Sequence, residues 1–133
     1  MQFMTWINRY TAMGPAFSAQ VMPTPVPQPS WVCRNFKLSQ DLGLPPDWLE
    51  NPDGLAVFSG NGLWEGMQAQ ASVYSGHQFG HWAGQLGDGR ALCLGEYESP
   101  RGSVEIQLKG AGKTPFSRMG DGRAVLRSSI REY

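Results

Sequence analysis

The chain has 133 residues, with eleven Lys and Arg against eleven Asp and Glu. That length buries one modest core, so the chain is one domain or part of one. A net charge of zero gives no global argument for nucleic acid or a membrane surface as partner. Charge is unevenly spread, however. Lys109, Lys113, Arg118, Arg123, Arg127 and Arg131 fall between 109 and 131 against the single acid Asp121. Beside glycine turns such a stretch suits a phosphate ligand, while a solvated helix face is the plainer account of isolated arginines.

At the amino terminus Arg9 is the one early positive charge, and Asn8, Thr11 and Gly14 interrupt any apolar run. Neither a signal peptide nor a membrane span is expected there. Residues 1–30 read as irregular, with "PTPVPQP" at 23–29 as a stiff polyproline-type segment. Trp6, Tyr10, Phe17 and Trp31 surround it, and aromatics favour packing over disorder, so the segment is expected to lie across the domain. The widely separated Cys33 and Cys93 form neither a disulfide framework nor a metal pair, and a reducing, cytoplasmic location is expected.

Short helices are predicted at 39–44, with Ser39 as cap and Pro45 as stop, and around 52–60. "HQFGH" at 77–81 spaces two histidines as a zinc-protease helix does. It has Gln78 where the general-base Glu belongs and Gly80 inside the would-be helix, so His77 and His81 are expected to bind no metal. "GQLGDGR", 84–90, reads as a glycine turn preceding a strand, whose amides can point at phosphate oxygens.

Two short strands follow at 91–96 and 104–109, joined by "YESPRG". In the second, Val104, Ile106 and Leu108 share one face and Glu105, Gln107 and Lys109 the other. In the first, Ala91, Cys93 and Gly95 make a small-residue face, suited to a flat ligand or simply to close packing. "GAGKT", 110–114, lacks the first glycine of a Walker loop, since position 107 is Gln107, and Pro115 stands where the loop's helix should be running. The end of the chain, 122–133, reads as a helix with Val125, Leu126, Ser129, Ile130 and Tyr133 on one broad buried face and Arg127 and Arg131 pointing away. Glu132 falls at the edge of that face, where an unpaired carboxylate is costly, and Lys109 is its natural partner.

A glycine turn, a strand lysine and a helix glutamate in that order follow the logic of the protein-kinase N-lobe, where a loop covers phosphates and the glutamate positions the lysine. The third glycine of the usual loop is missing, since position 92 is Leu92. The stretches "YSGHQFGHWAGQLGDGRALCLGE", "LKGAGKTPFSRMGDGRAVLRSSIRE" and "NRYTAMGPAF…PTPVPQPSWVCRN" resemble the selenoprotein O (SelO/YdiU) family from about Phe3 to the end. "FSAQV" at 17–21 departs from that family's aromatic-rich pattern.

The resemblance implies an α+β, pseudokinase-type N-lobe fragment with an antiparallel sheet and an αC-like helix. Residues 1–70 would be an extension packed on the lobe and 71–133 the nucleotide-binding segment. It implies ATP bound in a flipped orientation and AMP transfer to Ser, Thr or Tyr hydroxyls of proteins, with Mg²⁺ or Mn²⁺. By motif, Gly87, Gly89 and Arg90 would contact nucleotide from the first GDGR turn, and Asp121 and Gly122 from the second. Lys109 would bind phosphate and be positioned by Glu132. The family's catalytic-loop Asp and its metal-binding Asn and Asp would all lie beyond position 133, leaving this chain with no catalytic or metal residue and no activity of its own. The alternative is a non-catalytic ATP-binding or regulatory module that meets a separate C-terminal portion, or the relic of a split gene.

Overall fold

In the computed structural model, which describes residues 4–133, the sheet is built around one long strand. The elements in order are α1 (Arg9–Ala12), β1 (Ser18–Gln20), α2 (Phe36–Asp41), α3 (Pro52–Phe58), β2 (Gln70–Gln78), β3 (His81–Gly87), β4 (Ala91–Ser99), β5 (Gly102–Lys109) and α4 (Leu126–Glu132). All strand pairings are antiparallel, giving an α+β fold with five strands.

β2 pairs with β1 along one edge, Ala71 opposite Ala19. Its other edge carries two strands in succession. Val73 faces Gly87 of β3, while Gln70 faces Cys93 of β4. Three steps along β2, from 73 to 70, therefore face six along the partner, from 87 to 93. The surplus is looped out at 88–90. β5 completes the order β1-β2-β4-β5 by pairing with β4 through a two-residue turn at Pro100 and Arg101.

Both expected strands are present and longer than anticipated, since residues 97–99 and 102 of "YESPRG", and Ser103 after it, join the ladder. The β2–β3 hairpin was not anticipated. Its strands carry Gly76 and Gly84, which lower strand propensity, and it closes through Phe79 (φ 52°) and Gly80 (φ 80°). "HQFGH" is thus the tip of a hairpin, with both histidines exposed.

The expected helix at 39–44 begins earlier. Asn35 accepts the Leu38 N–H at 2.9 Å and caps α2, so Ser39 is a buried interior residue rather than the cap. Gly43, with φ of 66°, ends the helix before Pro45 is reached. The helix expected around 52–60 is α3, capped by Asn51 on the Gly54 N–H with Pro52 in its first turn.

One core cluster centres on Trp48 and Leu94, both fully buried, with Phe58 and Trp64 rings 4.9 and 5.3 Å from Trp48. A second gathers Ala71, Leu92 and Ala111 against Phe116. The first thirty residues are less irregular than their composition suggests, since α1 and β1 lie within them. Segment 23–29 does run across the domain: Thr24 N–H bonds Ala111 C=O at 2.8 Å, and the Asn61 amide grips both the N–H and C=O of Val26. Trp6 stacks obliquely on Tyr97 at 5.6 Å, although Phe17 remains half exposed.

The last helix corrects the expectation most. It starts at Leu126, because Asp121 turns back to accept the Arg123 N–H and Val125 is extended (ψ 141°). Val125, Leu126, Ile130 and Tyr133 are all more than half exposed, so their shared face is uncovered among the described residues. No helix among the described residues is long and apolar enough to cross a membrane.

The amino-terminal segment is clamped by a carboxylate. Glu96 on β4, its side chain only 9 % exposed, accepts hydrogen bonds from the Arg9 guanidinium, the Arg9 N–H and the Ser103 hydroxyl. The Arg9 guanidinium first, then Ser103, hold its pKa at about 2 rather than 4.5. A lowered carboxylate pKa stabilises the fold above the ordinary carboxylate range, and that stability is lost as pH falls from about 4.5 through about 2. Glu96→Gln is therefore expected to lower Tm at pH 7, and the gap to the parent should shrink steadily below pH 4.5. Thermal melts across that range would check it; a gap independent of pH would show that the clamp does not act through charge.

Candidate functional site

The loop at 88–90 carries the first GDGR sequence, and its conformation follows from the strand mismatch. Asp88 clasps β2 by donating its N–H to Ser72 C=O at 3.0 Å and accepting the Ser72 N–H on its carboxylate at 3.1 Å. The three carbonyls of the loop are then taken by one segment. Thr114 donates its hydroxyl to Asp88 C=O and Ser117 to Gly89 C=O, each at 2.5 Å, and the Gly110 N–H reaches Arg90 C=O at 2.7 Å.

A trans peptide holds its C=O and N–H antiparallel. Fixing the Asp88 and Gly89 carbonyls on Thr114 and Ser117 therefore aims the N–H groups of Gly89 and Arg90 away from that segment. Adjacent amides directed one way make an anion-binding concavity. Gly87 and Gly89 are required by packing as well. A Cβ on Gly87 would lie 2.4 Å from the Phe116 ring, and one on Gly89 would lie 2.9 Å from Phe116 C=O.

The second GDGR sequence, 120–123, meets the same segment at Gly110 and Gly112. Gly112 donates to Gly122 C=O at 3.1 Å, and a Cβ on Gly122 (φ 73°) would fall 2.0 Å from Gly112 C=O. Asp121 is exposed and spends one carboxylate oxygen on the Arg123 N–H at 2.9 Å. Arg123 in turn reaches the carbonyls of Gly110 and Thr24 at 3.4 and 3.2 Å. Residues 110–117 thus tie the two GDGR turns together, with Lys109 leading into them.

Lys109 ends β5, opposite Ala91, one residue from Arg90. Its Nζ donates to Glu132 Oε1 at 2.5 Å, with the two side chains 41 % and 53 % exposed. Screened by water, a pair of this kind adds only about 0–1 kcal/mol to stability. Its geometric effect is to tie the end of β5 to α4.

The sequence singled out the glycines but missed Thr114 and Ser117, which anchor the first turn, and Arg123, which braces the second. Their signal was present in "KTPFSR" and "DGR", hydroxyls and a guanidinium beside glycine turns, but only tertiary structure gives them partners. Among the described residues no three His, Cys, Asp or Glu side chains gather to hold a metal ion. The Mg²⁺ or Mn²⁺ implied by the resemblance finds no ligand set there. An open concavity of about 330 Å³ lies between the β2–β3 hairpin and this loop, walled by Tyr74, Gln78, Gly87, Phe116 and Arg118.

The family model described as protein adenylyltransferase SelO matches residues 2–133. The chain belongs to the SelO family. It is 55 % identical to the protein nucleotidyltransferase YdiU of Albidiferax ferrireducens over 98 % of its length, covering 25 % of that relative. It is likewise 55 % identical to YdiU of Variovorax paradoxus, covering 96 % of this chain and 26 % of the relative. With YdiU of Dechloromonas aromatica the identity is 50 % over the whole chain and 27 % of the relative. The chain spans about a quarter of the length of these SelO-family relatives.

The anchoring of the first turn can be tested directly. Thr114→Val keeps the shape but removes the hydroxyl that serves Asp88 C=O and accepts the Phe116 N–H. It should destabilise the fold by about 1–2 kcal/mol in denaturant unfolding. A change near zero would show that the turn holds itself.

Proposed function

We infer that residues 71–133 form the nucleotide-gripping part of a kinase-like N-lobe, with residues 1–70 packed on it as an extension. In a complete SelO protein this unit holds ATP for AMP transfer to Ser, Thr or Tyr hydroxyls of protein substrates. The observation that carries the reading is the first GDGR turn, whose carbonyls are bound inward so that successive amides face out beside Lys109. Support for an adenylyl donor comes from the family's own description.

In this reading the backbone of Gly87 and Gly89 and the side chain of Arg90 meet the phosphates from one side. Asp121 and Gly122 contact the nucleotide from the other turn. Lys109 neutralises phosphate charge, and Glu132 keeps its amine from swinging into solvent. The reaction joins the acceptor hydroxyl oxygen to the α-phosphorus and breaks the bond from that phosphorus to the bridging oxygen, releasing pyrophosphate and a proton. Grip and proton removal are separate tasks, and the residues named here perform only the first. The 133-residue chain alone is therefore inactive in transfer.

The test joins this chain to the remaining portion of the Albidiferax ferrireducens relative and measures protein labelling from labelled ATP with a divalent metal. Lys109→Ala should reduce labelling by about 10²-fold or more, with little loss of Tm because the ion pair is exposed. Glu132→Gln should fall between the two. Undiminished labelling by the Lys109→Ala protein would overturn the assignment, as would robust labelling by the 133-residue chain.

A further inference from the structure

The concavity between the β2–β3 hairpin and the first GDGR turn is walled in part by Pro115 and Phe116 of the 110–117 segment. It therefore lies on the side of the turn to which the carbonyls point, away from the outward amides. Tyr74 and Phe116 supply rings to this open space of about 330 Å³, and Gln78 and Gln85 supply amides that both donate and accept. Arg118 is the one charged side chain in the wall among the described residues. It is exposed, and its guanidinium meets Gln78 Oε1 at 3.4 Å. Among the described residues it enters no ion pair.

The backbone holds Arg118 in a costly conformation. Its φ is 54°, a left-handed value that a residue with a Cβ adopts rarely and that persists where the surroundings impose it. The Gly120 N–H closes on Ser117 C=O at 2.9 Å, which puts Arg118 at the corner of a tight turn. Ser117 is also the residue whose hydroxyl fixes Gly89 C=O, so the guanidinium is placed relative to the nucleotide-gripping turn. At the other rim Gln78 leads into the hairpin tip, where Phe79 is 98 % exposed and Trp82 74 % exposed. Large aromatics left uncovered at the mouth of a concavity suit the recognition of another polypeptide.

An arginine without a carboxylate, beside rings and amides, fits a peptide that carries an acidic side chain. Guanidinium and carboxylate pair through two parallel hydrogen bonds, a geometry few other groups match. Gly87 belongs both to the concavity and to the entry of the GDGR turn, so a peptide seated there runs toward the nucleotide. We propose that the concavity is a docking subsite for the protein acceptor, selecting through Arg118 an acidic side chain a few residues from the hydroxyl to be modified. The hairpin tip receives a neighbouring apolar side chain on Phe79. An extended peptide advances about 3.3 Å per residue, so the acid and the acceptor hydroxyl occupy different subsites. The identity of this occupant rests on the AMP-transfer reading, but its binding does not need transfer to occur.

The test uses this chain joined to the remaining portion of the Albidiferax ferrireducens relative. Fluorescein-labelled peptides with a single serine carry one Glu at successive positions on either side of it, each with a Gln counterpart. Binding is followed by anisotropy without nucleotide. One placement of Glu should bind about tenfold tighter than its Gln counterpart. Arg118→Gln should abolish that preference, and Arg118→Glu should transfer it to the matching Lys peptide. The site is exposed, so Tm should hold in both variants. With labelled ATP, Arg118→Gln should raise KM for the Glu peptide about tenfold and leave kcat and the KM for ATP unchanged. An Arg118-dependent preference without labelling would keep the peptide subsite and sink the AMP-transfer reading. Equal binding of Glu and Gln peptides at every placement would overturn the proposal. So would a loss of ATP affinity in Arg118→Gln with peptide binding unchanged, because the concavity would then belong to the nucleotide.

Discussion

The site depends on a mismatch in strand length. β2 holds β1 on one edge and both β3 and β4 on the other, and its partner edge carries three residues more than β2 can pair. Those residues must leave the ladder, and their carbonyls must find acceptable donors elsewhere, since buried unpaired carbonyls are costly. Thr114, Ser117 and the Gly110 amide supply them. A loop that would otherwise be slack becomes a turn with a fixed inside and outside. The outward amides are a by-product of satisfying the inward carbonyls.

The same segment imposes the second constraint. Residues 110–117 are pressed between the two GDGR turns, and the approach is close enough that a side chain on Gly122 would run into the Gly112 backbone and one on Gly112 into Thr24. Thr24 fills the space beside Gly112 and bonds Ala111, so the proline-rich stretch is part of the support rather than a tether. Both copies of the short repeat on either side of the lysine close against this one segment: the first on Gly110, Thr114 and Ser117, the second on Gly110 and Gly112.

Much of this was legible in the residues themselves. The alternation of β5 and the asparagine–proline start of α3 are local signals, strong enough to survive tertiary packing. The pairing of Lys109 with Glu132 followed from strand and helix periodicity together. The β2–β3 hairpin was hidden because its glycines weaken the strand pattern and a Phe-Gly turn is not the usual Asn-Gly. The start of α2 was misplaced because Asn35, not Ser39, caps it, and Ser39 lies buried within the helix. Thr114 and Ser117 were missed for a different reason. Their hydroxyls stand beside glycine turns, but the partners that give them a role lie 26 or 28 residues away in sequence.

The face of α4 shows how local periodicity and burial can part. Its apolar residues have the spacing of a core helix, yet Val125, Leu126, Ile130 and Tyr133 stay exposed among the described residues. A helix of seven residues has little stability of its own. One screened ion pair of about 0–1 kcal/mol does not change that. Among the described residues the position of α4, and with it the aim of the Lys109 amine, rests on that pair and on the turn at Asp121–Arg123. Tyr133 lines the apolar groove beside β5 and follows Glu132 directly, so the groove and the Lys109 pair share one helix turn.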